Sequence, residues 1–188
     1  MSGKCGCFHS NHGHNIRLKE GGTEAHRVES YNKAVVFTEQ PIPHGGMFTI
    51  KLLDKGGGWA GSIRFGFTLL SPDNNIPVPS GALDLYRSSD YWILSASTVH
   101  HNGQENKVDF NLESLRVGQT VSCSVNKEGE LRYYIDGQDQ GLGWSGVPTD
   151  KPLWGFADIY GLARKIKSEF LCDEVMSCSE DSDAEVTG

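Results

Sequence analysis

Cys5, Cys7, His9, His12 and His14 fall within ten residues near the start of the chain. Thiolate and neutral imidazole are the usual zinc ligands, but this spacing fits no closed structural site, so packing is their expected role and no metal is assigned. Further histidines at His26, His44, His100 and His101 have the chemistry of a general base. Neither a G-x-S-x-G turn nor a phosphate loop at a strand-to-helix junction accompanies them, so no catalytic residue and no cofactor is assigned. The run GGGWAG is no phosphate cradle, because a strand follows it where an anion would need a helix N-terminus.

The aromatic residues carry more information. Of Trp59, Trp92, Trp144 and Trp154, about two are expected in a core, since large rings fill β-sheet interiors. Trp59 and Trp144 are flanked by glycines and are the expected surface members, and Tyr160 in DIYG is a third loop aromatic. Rings on loops above a rigid scaffold are the usual chemistry of peptide capture. Gly58, Trp59, Trp144, Tyr160 and Gly161 are therefore the candidate partner-binding residues, provided that their three loops meet at one rim.

The elements that must position them read as strands. In GWAGSIRFGFTL, Ile63, Phe65, Phe67 and Leu69 alternate with Ser62, Arg64, Gly66 and Thr68, which predicts a half-buried strand. Gly66 within it marks a bulge or a close backbone approach. Val121, Cys123 and Val125, then the turn Lys127-Glu128-Gly129, then Leu131, Tyr133 and Ile135 predict a hairpin. Ile16 to Val28 predicts an opening hairpin about Glu20-Gly21-Gly22, and further strands are expected at 34–37, 47–53, 92–99, 104–110, 153–159 and 164–170. Residues 71–90, dense in Pro, Asn, Ser and Gly, are expected to form a long ordered loop, and 137–148 a glycine-rich one. No window keeps a capped helical period, so the fold class is all-β, and many short strands with frequent turn signals argue a sandwich or barrel.

The chain has 188 residues and a formal charge of −7, enough for one domain. Six acids lie between Cys172 and Gly188 with no Lys or Arg among them, so the rest of the chain carries only about −1. A near-neutral body has no field to steer it onto a phosphate backbone, which argues against general nucleic-acid binding. No run approaches the ~20 apolar residues of a membrane-spanning helix, and the N-terminus lacks an apolar signal core, so a cytoplasmic location is expected. Five cysteines make no disulfide framework and are expected to be reduced. Acylation of Cys5 or Cys7 is the one lipid option near the start.

Five motifs in order, FHSNHGHNIRL, AHRVESYNKAVVF, GWAGSIRFGF, LRYYIDGQDQG and FADIYG, resemble the neuralized homology repeat of Neuralized-type ubiquitin ligases. The resemblance divides the chain into an N-terminal segment 1–7, the repeat at 8–171 and an acidic, disordered tail at 172–188. It implies a SPRY-like antiparallel β-sandwich that binds short protein segments, including cytoplasmic tails of Notch ligands. Ubiquitin machinery would be reached through the parent chain, because neither a RING nor a SOCS box is visible and the two tail cysteines lack the ligand array of two zinc ions. The alternative is a SPRY-like scaffold or ligand-binding module, including a carbohydrate-binding one, with no ubiquitin role.

Overall fold

The computed structural model describes residues 6–57 and 62–169. Gly58, Trp59 and the tail at 172–188 therefore lie outside the described residues. Within them the chain forms β1 (Ile16–Lys19), β2 (Glu24–Arg27), β3 (Val35–Phe37), β4 (Met47–Lys55), β5 (Ile63–Thr68), β6 (Tyr91–Ser95), β7 (Thr98–His101), β8 (Gln104–Lys107), β9 (Thr120–Val125), β10 (Leu131–Ile135), β11 (Gln138–Trp144), β12 (Trp154–Ile159) and β13 (Ala163–Ser168). Helix is limited, among the described residues, to short 3-10 turns such as Ala82–Leu85 and Leu112–Ser114.

Every strand pairing among the described residues is antiparallel. One sheet runs β1-β2-β13-β4-β9-β10-β11 and the other β3-β12-β5-β6-β7-β8. Period-two burial explains why they stack. Phe48, Ile50 and Leu52 of β4 and Val121 and Cys123 of β9 point toward Ile63, Phe65 and Phe67 of β5, all within 1% of full burial. Phe48 meets Phe65 and Phe67 with centroids 6.0 and 6.5 Å apart, and Phe65 meets Tyr133 at 5.8 Å. Each such ring contributes about 1.5–3 kcal/mol by leaving water.

Several expectations are corrected by this packing. β5 is covered on both faces, not half-buried, because the excursion at 71–90 folds Ala82, Leu83 and Leu85 down over Val35, Phe37, Ile93 and Phe156. His9, from the opening motif, anchors that excursion through a 2.7 Å contact from Nε2 to Asp73 Oδ1. Gly66 marks a close approach and no bulge: a Cβ there would run into the Trp92 carbonyl of the neighbouring strand. The stretch 92–99 is not one strand: it runs through β6, turns at Ala96 and Ser97 with Ala96 at φ 51°, and enters β7. Residues 138–144, expected as loop, form edge strand β11, where bulges absorb the glycines and Gly143 leaves room for the Tyr133 ring. The expectation of wholly reduced cysteines also fails: Cys123 is a free thiol in the core, whereas Cys7 is disulfide-bonded. An odd cysteine count excludes a complete framework, not a single bridge.

Candidate functional site

Residues 160–162 cross from one sheet to the other, joining β12 to β13 at one end of the sandwich. Three carbonyls of this crossing face a single cation. Arg27 of β2, only 9% exposed, donates from Nε to Ile159 O at 3.1 Å and from Nη2 to Gly161 O at 2.6 Å and Ala163 O at 2.8 Å. Gly161 turns the chain at φ 60°, a left-handed geometry that glycine adopts without strain, and its N–H donates to Tyr31 O. The Gly56 N–H donates to Leu162 O at 2.7 Å, which brings the β4–β5 connection alongside. That connection contains Gly58 and Trp59.

Tyr160 is fixed on this crossing from two sides. Its ring covers the Arg64 guanidinium at 3.6 Å, and its hydroxyl donates to Glu113 Oε1 at 2.7 Å. Burial first, and the Glu113 carboxylate second, push its phenol up to about 12, so it stays a neutral donor under ordinary conditions. Arg64 in turn donates from Nε to Ser95 Oγ at 3.0 Å and from Nη1 to Asp158 Oδ2 at 3.4 Å. Asp158 is fully buried, and Oδ2 also accepts the Ala82 N–H at 2.8 Å. Burial raises its pKa although Arg64 and the Ala82 N–H oppose the shift.

The result is one connected row, Glu113–Tyr160–Arg64–Asp158, across the outer face of the six-stranded sheet. Its partly exposed members can offer a ligand an aromatic ring and a cation; two of the five N–H donors of Arg64 are engaged among the described residues. The 3-10 turn carrying Glu113 also borders a groove of about 440 Å³ with Leu115 and Ile135 on its floor and Arg116, Gln119 and Gln138 on its walls. Backbone and amide hydrogen bonds from Thr120 and Gln119 hold Asp136 there below the usual carboxylate range.

Trp144 does not join this rim. It ends β11 opposite Leu131, at the Met47 end of β4, whereas Ala163 pairs with Lys55 at the other end. The nine residues of β4 separate the two ends by ~26 Å. Trp144 instead packs edge-on against His101 at 5.4 Å, which stacks on Trp92 at 4.3 Å. The structure thus brings Tyr160 and Gly161 together with the segment holding Gly58 and Trp59, and sends Trp144 elsewhere. Arg27, Arg64, Glu113 and Asp158 escaped the sequence reading. One signal was available, since a charge inside the apolar runs SIRFGF and LWGFADI calls for a buried partner.

The Neuralized family model matches residues 8–169 of the chain. The chain belongs to the Neuralized family. Human Neuralized-like protein 2 is 42% identical over 96 residues, covering 50% of this chain and 33% of that protein. Human E3 ubiquitin-protein ligase NEURL3 is 29% identical over 159 residues, 82% of this chain and 55% of the relative. The chain therefore spans a third to about half of these relatives. Among solved structures, the neuralized NHR1 domain of Drosophila melanogaster superposes with a TM-score of 0.71 at 28% identity, covering 88% of this chain and 98% of that one. The SPRY domain of human HERC1 reaches 0.63 at 16% identity, covering 90% and 99%, a likeness of fold alone. This Neuralized domain is a SPRY-like antiparallel sandwich of a family that includes ubiquitin ligases, and no helix among the described residues is long and apolar enough to cross a membrane.

Proposed function

We propose that this Neuralized domain recognises a linear segment of a partner protein at the Tyr160–Gly161 end of the sandwich, as the substrate-recognition part of a Neuralized-type ubiquitin ligase. The observation that carries the reading is the Tyr160–Arg64 pair, held beside the glycine-rich connection by the Arg27 clamp. A partly exposed ring and a cation on a rigid frame suit an extended peptide, whose backbone carbonyls and side chains need donors and anchor area. Gly58, Trp59, Tyr160 and Gly161 are the proposed contacts, and Trp144 is left out by its position. Catalysis of ubiquitin transfer belongs, in this proposal, to other parts of a parent chain, and the partner segment to the cytoplasmic tail of a receptor or ligand.

Calorimetric titration with peptides tiling a Notch-ligand cytoplasmic tail tests it. Trp59→Ala should keep the wild-type melt, and Tyr160→Phe, which loses the bond to Glu113, should melt lower but stay folded. Trp59→Ala should weaken binding about thirtyfold, the ~2 kcal/mol of a buried anchor ring. Tyr160→Phe, which keeps the ring over Arg64, should weaken it far less. Wild-type affinity in Trp59→Ala and in Tyr160→Ala, both folded, would remove this rim as the binding site.

A further inference from the structure

At the opposite end of the sandwich a cleft of about 300 Å³ lies between Phe67 of one sheet and Val125 of the other. Its floor is apolar, completed by Ile42 and Leu153, and Lys127 and Lys151 stand on its rim. No Asp or Glu is among the described residues that line it. An apolar floor under two cations fits an acidic segment with an apolar anchor.

Such a segment emerges beside it. β13 ends with Ser168 opposite Ile50, and the Glu169 N–H donates to Thr49 O, so the chain leaves the sheet heading along β4 toward Met47 and the His44–Gly46 wall of the cleft. From Thr49 to Gly46 is a span of ~10 Å, and seven residues from Glu169 to Met176 reach up to ~25 Å. Residues 170–188 hold Val175 and Met176 directly after Asp173 and Glu174, four further acids beyond, and no Lys or Arg. A stretch with too few apolar groups to build a core can still bury them against a surface that is already formed.

We propose that this acidic C-terminal segment docks into the cleft of its own chain, with Val175 and Met176 on the apolar floor and Asp173 and Glu174 beside Lys127 and Lys151. Salt weakens the docking, because the ion pairs sit at an exposed rim. The site is independent of the Tyr160 rim, some 26 Å away by strand length.

Zero-length carbodiimide crosslinking of the full chain, as a mixture of ordinary and 15N-labelled molecules at low concentration, tests the proposal. Expected are linkages from Lys127 or Lys151 to Asp173 or Glu174 within single chains, and their loss in the double variant Val175→Ser, Met176→Ser, whose carboxylates are unchanged. In 15N spectra of the full chain the same variant should shift the amides of Gly45, Gly46 and Asn126. Linkages spread over exposed lysines such as Lys19 and Lys107, or equal in the variant, would overturn the proposal. Linkages joining one labelled and one unlabelled molecule would overturn the own-chain occupant and point to a second copy.

Discussion

Arg64 shows how one side chain can serve packing and recognition together. It neutralises the buried Asp158, supports the Tyr160 ring, and keeps part of its surface exposed at the rim. Arg64→Leu should cost about 3 kcal/mol, the lower end of the range for breaking a buried pair, because Asp158 would keep its charge with no cation beside it. The pH dependence has a definite sign. Burial already places the Asp158 pKa above its unfolded value, so the folded state binds the extra proton and stability falls as pH rises through that window. Removing Arg64 raises the pKa further, so the variant's deficit in urea melts should shrink as pH is lowered from 7 toward 4. Adding Asp158→Asn, which keeps an acceptor for the Ala82 N–H, should recover most of the loss; a pH-independent deficit that the second change leaves intact would count against the pair.

The crossing from β12 to β13 shows how an element becomes a rigid platform without regular structure of its own. Backbone carbonyls that a loop would normally leave to water are gathered by Arg27 of β2, the strand that pairs with β13. Arg27→Met keeps much of the stem's packing and removes these bonds; charge-assisted bonds of this kind are worth ~1.5–3 kcal/mol each and are not additive, so a total near 3 kcal/mol is expected. The loosening should be local. Amide exchange should quicken at Gly161, on the crossing, and at Gly56, whose N–H donates to Leu162 O of the crossing, while Val121 to Val125 keep their protection; uniform loss across both sheets would show Arg27 to be a core residue and no clamp. Edge strands are managed in a different way. β8 is QENK, polar on both faces, and Asn106 closes the gap to β11 by donating to Gly143 O at 2.7 Å.

For the molecule as a whole, a single interior joins both sheets, with Phe48 at its centre between Phe65, Phe67 and the backbone of Gly155. Phe48→Ala should cost about 3–5 kcal/mol, and tryptophan fluorescence and far-UV circular dichroism should still report one coincident transition. Two transitions would mean that the sheets hold separately. Antiparallel pairing of β1 with β2 is local, but β13 must find β2 and β4 across most of the chain, so refolding in milliseconds to seconds is expected in stopped-flow.

At this scale the division between sequence and tertiary structure has a physical cause. Period-two alternation at Ile63 to Phe67 and Leu131 to Ile135 determined the strands, because one face of a strand must be apolar whatever covers it. The ordered motifs determined the family, and the DIYG motif marked Tyr160 as an aromatic at a strand end. Alternation does not say which strand lies beside which, so it left open that the Tyr160 crossing would meet the β4–β5 connection while Trp144 went to the far end. Glycine codes equally for a turn and for a close approach, and only the neighbours of Gly143 and Gly66 decided between them: the Tyr133 ring made one stretch a strand, and the Trp92 carbonyl made the other a flat pairing without a bulge. Charges buried as pairs were hidden for the same reason, since Arg64 and Asp158 stand 94 residues apart in the chain and become partners only when β5 and β12 align.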